Sequence, residues 1–149
     1  MYALLQHPDQ LAEIISNPEL VDDAVEEMLR FDCPISETAR IAKENLSLSD
    51  CPVHKGDTVT ASLAAANHDP KIFEQPHRFD IHRDNKDHLA FGSGIHVCLG
   101  APLARLEAQT AIKELLARFP KISLLPNTQP AKRILPFFSG FTELRVRLK

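Results

Sequence analysis

The sequence predicts an α+β fold that is mainly helical. Three segments carry apolar residues at helical spacing: one after Pro8, one over residues 19–31 and one over residues 102–119. Short runs that fit strands lie between the second and third of these segments, and similar runs occupy the C-terminal tail. Helices are therefore expected to dominate, with small sheets between and after them.

The first two predicted helices follow each other closely. Pro8 stands at a first-turn position before DQLAEIIS, and Asn17-Pro18 ends that helix and can cap the next one, ELVDDAVEEMLRF. Acidic residues at the start of the second helix favour the positive end of its dipole. One face of it is apolar, which predicts burial of Val21, Ala24, Val25, Met28 and Leu29.

From Ile35 the apolar pattern changes to short strand-like runs. TARIA, LSL and DTVTASL are compatible with strands, and the turn signal HKGD precedes the last of them. NHDP, at residues 67–70, is a turn, and the region from there to Gly94 is long and irregular, which is typical of a functional segment. In the tail, LLP, ILPFFSGF and ELRVRLK predict two or three strands.

Composition limits the class of protein. The 149 residues are about the length of one domain, and 44% hydrophobic with 25% charged residues is ordinary for a globular protein. A net charge of -3 without a basic block argues against nucleic acid, and no apolar run approaches the roughly 20 residues that span a bilayer. Three widely spaced cysteines fit neither a disulfide framework nor zinc, and favour reduced thiols in a cytoplasm.

The stretch FGSGIHVCLG places Cys98 directly before a predicted helix. The unpartnered N–H groups and the dipole of a helix start stabilise a thiolate, and glycines allow close approach of another body. Three interpretations remain at this point: a buried structural thiol, a nucleophilic pair with His96, and a metal-bound thiolate, with haem iron as the leading case. The nucleophilic pair of Cys98 and His96 is less favoured than the metal-bound thiolate, because no Asn or Asp that could orient the histidine lies close in sequence.

The same stretch matches F-x-x-G-x-x-x-C-x-G at Phe91, Gly94, Cys98 and Gly100. Followed by APLARLEAQTAI, it resembles the haem-ligating loop and next helix of the cytochrome P-450 family, and most of all its soluble bacterial type. Further blocks in the same order support the resemblance, namely ETARIA and the segment from Pro76 to Arg83 followed by HLAFG.

Glu27 and Arg30 match the E-x-x-R of that family. Alone the motif is weak, because an ion pair at i, i+3 is common on an exposed helix face. The resemblance implies instead that the irregular stretch before the cysteine loop covers this pair, which would then have a structural role.

The resemblance implies the C-terminal part of a haem-thiolate monooxygenase, with K and L type helices, small sheets and a cysteine loop. Cys98 would be the axial ligand of a haem b, whose iron gains electron density that favours O–O cleavage, and no other catalytic residue is expected here. Arg40 and His96 would bind haem propionates. The remaining cofactor contacts implied are Phe91, Gly92, Gly94, Leu99, Gly100 and Ala104.

The resemblance covers only the C-terminal part of the family fold, so residues 1–149 are expected to form a single partial domain. YALLQHP resembles the end of a helix that begins upstream, and the Ala-Gly-x-x-Thr pattern of the distal helix does not occur. Expected partners are a ferredoxin-type donor and either a complementary N-terminal polypeptide or a second copy of the chain. The alternatives are a catalytically incompetent haem-binding remnant and an apo structural or interaction domain that self-associates.

Several other residues receive simpler predictions. His88 is a candidate for ordering the segment that leads into the cysteine loop. Arg105 is expected to form a local ion pair with Glu107 on the helix face and to have a structural role. It is only a weak candidate for docking a redox partner. Surface positions are expected for His7, His54, His77 and His82, and structural roles for the thiols of Cys33 and Cys51.

Overall fold

The computed structural model describes residues 1–133, 135 and 137–149, and its architecture is α+β, as predicted. The helices in this part of the chain are α1 (Tyr2–Leu5), α2 (Pro8–Ser16), α3 (Val21–Phe31), α4 (Leu63–Ala66) and α5 (Ala101–Arg118). The strands are β1 (Glu37–Ile41), β2 (Leu46–Leu48), β3 (Cys51–Val53), β4 (Thr58–Ser62), β5 (Ser123–Leu124) and β6 (Val146–Arg147).

The main core lies where α1, α2 and α3 meet the second half of α5. The predicted apolar face of α3 is buried there, with Val21 and Val25 each 1% exposed. Phe79 and Ile81, from the irregular segment, complete this core at 1% and 0% exposure. Helix α3 is therefore enclosed by α5 and by the irregular segment, and both of these lead to the cysteine loop.

Helix α3 begins later than predicted. Residues Pro18–Leu20 form a 3-10 turn, and the α-helix starts at Val21. Asn17 makes no side-chain capping bond, and its carbonyl accepts from the Leu20 N–H at 3.1 Å. The tighter i to i+3 bond carries the chain from the proline into the helix.

Three two-stranded antiparallel sheets are present in the described part of the chain: β1 with β4, β2 with β3, and β5 with β6. In the first, Arg40 is paired with Val59. The β2–β3 hairpin, of which only β2 was predicted, turns at Ser49 and Asp50, with φ of 44° and 67°. Left-handed conformations at both positions suit the twist of a two-residue hairpin, even without glycine.

The predicted run DTVTASL contains two elements rather than one strand. Strand β4 ends at Ser62, whose Oγ accepts from the Ala65 N–H at 3.2 Å and caps the short helix α4. From residue 67 to 93 the described chain has neither helix nor strand, as predicted from its lack of periodicity.

The tail contains the two short strands β5 and β6. Within the second predicted run of the tail, ILPFFSGF, Ile134 and Pro136 lie outside the described residues. The rest of that run forms isolated bridges, including one between Phe138 and Ile35. None of the described helices has the length and apolar character that a membrane crossing requires.

Candidate functional site

The cysteine loop, residues 91–100, folds back on itself before α5. Gly92 and Gly94 have φ of +70° and +69°, a conformation that residues with a side chain rarely adopt, so glycine is favoured at both turns. The loop is closed by the Cys98 N–H, which donates to the Phe91 carbonyl at 2.9 Å. The Cys98 carbonyl accepts from Ala101 N–H at 3.2 Å and thereby joins the loop to the helix start.

Cys98 is an exposed free thiol at the head of α5. Its exposure rules out the interpretation as a buried structural cysteine. A Cβ built on Gly100 would lie 3.8 Å from the Cys98 sulfur, so any longer side chain there would compete for the space around that sulfur. Leu99, between the two, is 98% exposed.

A cavity of about 620 Å³ opens beside the loop. That volume lies within the range of roughly 300–1,000 Å³ that small-molecule and cofactor sites occupy. Six of the predicted site residues line it: Arg40, Phe91, Gly92, His96, Cys98 and Ala104. Gly94, Leu99 and Gly100 belong to the same loop and are not part of this wall. The remaining lining is mostly apolar and comprises Leu29, Pro34, Ile35, Glu37, Thr38, Ala61, Leu63, Leu89, Ala90 and Ser93.

Arg40 reaches the cavity from strand β1. Its Nη1 donates to the Thr38 Oγ1 at 2.9 Å and to the Ala39 carbonyl at 2.8 Å, and its side chain is exposed. His96 ends the 3-10 turn Gly94–His96 on the loop side of the same cavity. Two side chains that can carry positive charge therefore share a wall with the sulfur.

These features together suit a haem. A sulfur at a helix start can ligate iron, an apolar wall can contact a flat macrocycle, and basic groups can neutralise propionates. The donor set and the cavity size fit this group, and each property comes from a different element of the chain.

The Arg30 cluster, formed by Glu27, Arg30 and Arg83, lies next to the site and is buried. Arg30 and Glu27 are 1% and 3% exposed and form two hydrogen bonds, from Nε at 2.7 Å and from Nη2 at 2.8 Å. The alternative of an exposed helix-face pair is therefore excluded. Arg83, which the sequence reasoning did not single out as a site residue, donates to Glu27 Oε2 at 3.2 Å and is 9% exposed.

The same guanidinium also holds the backbone of the irregular segment. Arg30 Nη1 donates to the carbonyls of Asn67 at 2.7 Å and Pro76 at 2.9 Å. In return, the Asp80 N–H donates to Glu27 Oε1 at 2.9 Å. Every residue has a backbone carbonyl, so the sequence cannot show which carbonyls Arg30 binds. Only the spacing of Glu27 and Arg30 could have indicated that this pair holds the irregular segment.

A second group, the Glu26 cluster, consists of Glu26, His88 and Arg105. Arg105 donates to both oxygens of Glu26 at 2.7 and 2.9 Å, so the expected local pair with Glu107 was the wrong partner. Burial alone raises the pKa of the Glu26 carboxyl. The hydrogen bonds from His88 and Arg105 and the charge of Arg105 outweigh it and lower that pKa to about 2.

Two of the simpler predictions fail and others agree with the structure. His7 is half-buried, with its ring 4.9 Å from that of Phe79, because it lies where α1 meets α2. Cys51 is exposed on a hairpin, so its thiol is not structural, whereas Cys33 is buried and burial raises its pKa. His54, His77 and His82 are exposed, as predicted.

Comparison with known proteins agrees with the fold. The family model of cytochrome P-450 matches residues 8–144. The chain therefore belongs to the cytochrome P-450 family, whose members are haem proteins.

Several relatives with sequence similarity are bacterial. The cytochrome P-450 monooxygenase PikC of Streptomyces venezuelae is 48% identical over 151 aligned residues, which cover 99% of this chain and 36% of PikC. A biotin biosynthesis cytochrome P-450 of Bacillus subtilis is 50% identical over 121 residues, which cover 81% of this chain and 31% of the relative. The chain thus spans about a third of the length of these relatives.

Solved structures give the same result. CYP109E1 from Bacillus megaterium, crystallised in complex with testosterone, superposes with a TM-score of 0.94 at 35% identity, covering 99% of this chain and 41% of that one. P450BioI, in complex with an acyl carrier protein that carries hexadec-9Z-enoic acid, superposes with a TM-score of 0.94 at 45% identity over 99% of this chain and 38% of the other.

Proposed function

We propose that this chain supplies the haem-thiolate centre of a cytochrome P-450 monooxygenase, with Cys98 as the axial ligand. The observation that carries the proposal is the shared cavity wall, in which the exposed Cys98 sulfur, His96, Arg40 and apolar side chains meet. The form of haem proposed is haem b, which the resemblance to the cytochrome P-450 family implies.

When bound, the haem supplies the oxygen chemistry of hydroxylation. The chain's own contribution would be to present the Cys98 sulfur from a restrained backbone. The bond from Cys98 N–H to the Phe91 carbonyl fixes the backbone on one side of the sulfur, and α5 fixes it on the other. We expect backbone N–H groups near Leu99 and Gly100 to donate hydrogen bonds to the Cys98 sulfur. Such bonds would reduce the electron density that the sulfur gives to the iron.

The other predicted residues bind and orient the group in this proposal. Arg40 and His96 neutralise its propionates, while Phe91, Gly92 and Ala104 contact the macrocycle. The Arg40 guanidinium is held through Nη1 by the Thr38 hydroxyl and the Ala39 carbonyl, which restricts where it can lie. Gly94 and Gly100 act through the loop geometry, because one has positive φ and the other leaves room beside the sulfur.

A further polypeptide segment is proposed to cover the loop and α5. Five apolar side chains there are exposed, namely Ile95 at 97%, Val97 at 55%, Leu99 at 98%, Leu103 at 59% and Leu106 at 60%. Contiguous exposed apolar surface marks an interaction site. The part of PikC that the alignment does not cover is about twice as long as this chain. We therefore propose a complementary N-terminal polypeptide as the cover and a second copy of the chain as the alternative.

For electron supply we propose a ferredoxin-type donor. Arg105 already donates hydrogen bonds to both carboxylate oxygens of Glu26, so it is a weak candidate for docking such a donor. The three cysteines are free thiols, and this supports the proposed cytoplasmic location, because the cytosol keeps thiols reduced.

The test is addition of haemin to the purified chain, followed by reduction and carbon monoxide. We expect a Soret band at the position characteristic of thiolate ligation, and its loss in Cys98→Ala. Cys51→Ala is the matched control, because Cys51 is the other exposed free thiol and should leave the band unchanged.

Lack of haem uptake by the chain, both alone and with the proposed N-terminal polypeptide, would reject the proposal and favour an apo interaction domain. Haem uptake with a thiolate band but no turnover of a test substrate, with peroxide or redox partners and the N-terminal polypeptide present, would identify a catalytically incompetent remnant.

A further inference from the structure

We propose that the Glu26 cluster positions the cysteine loop by holding Phe91. The cluster consists of Glu26 on α3, His88 in the irregular segment and Arg105 on α5. The functional meaning of this inference rests on the proposed haem site, but the geometry concerns the loop itself and can be measured without haem.

Glu26 fixes the orientation of the Arg105 guanidinium. Arg105 Nε donates to Oε1 at 2.7 Å and Nη2 donates to Oε2 at 2.9 Å. A bidentate pair of planar groups defines direction as well as distance. Glu26 is 16% exposed, and its low pKa keeps it ionised throughout the physiological range.

The guanidinium fixed in this way lies over an aromatic ring of the loop. Arg105 Cζ is 4.6 Å from the centroid of the Phe91 ring, within the distance of a cation–π interaction. The imidazole of His88 is 6.2 Å from the same ring centroid. Two members of the cluster therefore contact Phe91.

His88 holds the backbone next to that ring. Its Nδ1 accepts from the Ala90 N–H at 3.2 Å, which leaves Nε2 to carry the proton and donate to Glu26 Oε2 at 3.2 Å. The His88 side chain is 1% exposed, so neither bond is replaced by water at low cost.

Phe91 passes this restraint to the ligand position. Its carbonyl accepts from the Cys98 N–H at 2.9 Å, and this is the bond that closes the loop. The path runs from Glu26 through Arg105 to the Phe91 ring, and from the Phe91 carbonyl to the Cys98 backbone. Glu26, His88 and Arg105 are therefore positioning residues rather than ligands.

The competing explanation is that Glu26 and Arg105 simply join two helices. A second pair joins the same two helices and allows the explanations to be separated: Lys113 Nζ on α5 lies 3.1 Å from Asp22 Oδ1 on α3. It touches neither Phe91 nor the loop in the contacts of the described residues. Lys113→Met is thus the matched control for Arg105→Met.

The experiment is hydrogen–deuterium exchange of the full 149-residue chain without haem, followed at the Cys98 amide and at the amides of α5. In Arg105→Met and Glu26→Gln we expect the Cys98 amide to exchange about tenfold faster, because a charge-assisted contact to Phe91 is lost, with α5 nearly unchanged. Arg105→Lys keeps the charge and should restore part of the protection. Lys113→Met should leave the Cys98 amide within about twofold of the parent chain.

A double substitution tests the path itself. If Arg105 acts through Phe91, then Arg105→Met made in a Phe91→Leu background should produce no further acceleration beyond about twofold. Three results would overturn the inference: additive effects of the two changes, equal acceleration by Lys113→Met, or an unprotected Cys98 amide in the parent chain. None of these depends on haem uptake, so failure of the haem site and failure of this inference give different results.

Discussion

The Arg30 cluster and the cysteine loop are two parts of one site region and differ in how far the chain itself completes them. Arg30 is 1% exposed, and its guanidinium bonds to a carboxylate and to backbone carbonyls of the irregular segment. Cys98 is exposed, and its neighbour Leu99 is 98% exposed. The hydrogen-bonding groups of Arg30 find their partners within the chain, whereas Cys98 faces a cavity.

This difference separates a folding role from a binding role. A buried charge must find partners when the chain folds, because an unpaired one is very costly. A ligating thiolate must instead remain reachable, so the fold restrains its backbone and leaves its sulfur free. Substitutions in the two regions should therefore differ in which measurement they change.

The largest expected effect is on stability and follows from Arg30→Met. It leaves the Asn67 and Pro76 carbonyls without their donor, and the buried Glu27 carboxylate keeps only its bonds from Arg83 and the Asp80 N–H. The free energy of unfolding should therefore fall by about 3–5 kcal/mol. Urea denaturation followed by circular dichroism measures this. The control is Arg145→Met, which removes an exposed pair with Glu143 at 2.9 Å and should cost about 0.5 kcal/mol or less. Equal losses in both variants would remove the distinction between the regions.

An intermediate effect is expected from acid. The folded pKa of Glu26 is about 2 against an ordinary 4.5, so its contribution to stability is complete above about pH 4.5 and disappears as the pH falls toward 2. Since Glu26 remains partly exposed, we expect about 2 kcal/mol over that window. Urea midpoints measured between pH 6 and 2.5 should show a shallower acid loss in Glu26→Gln. An unchanged slope would contradict the assignment of this carboxylate.

The smallest effect on stability is expected from Cys98→Ser. The thiol is exposed and the loop is held by its backbone, so the free energy of unfolding should change by about 0.5 kcal/mol or less. The carbon monoxide spectrum should nevertheless lose its thiolate band. A loss of stability comparable to that of Arg30→Met would show that the sulfur has a structural role, contrary to the comparison.

The glycine pattern and the position of Cys98 before a helix were sufficient to predict a tight loop that ends at a helix start, because positive φ at Gly92 and Gly94 is a local property of the chain. They left three interpretations of the thiol open, and only the family resemblance favoured an iron ligand. The partner of Arg105 could not be predicted in this way. Glu26 is 79 residues away in sequence. The nearer Glu107 carries the same charge, but residues at i and i+2 of a helix do not face each other.

The sequence by itself determined the order and type of the main helices, the lack of helix and strand over residues 67–93 and the residues of the cysteine loop. These depend on periodicity, proline and glycine, which act over a few residues. Only the tertiary structure decided that Glu27 and Arg30 are buried, that Arg83 joins them, and that Glu26, His88 and Arg105 meet at Phe91. These depend on desolvation and on contacts between distant segments, and both exist only once the chain has packed.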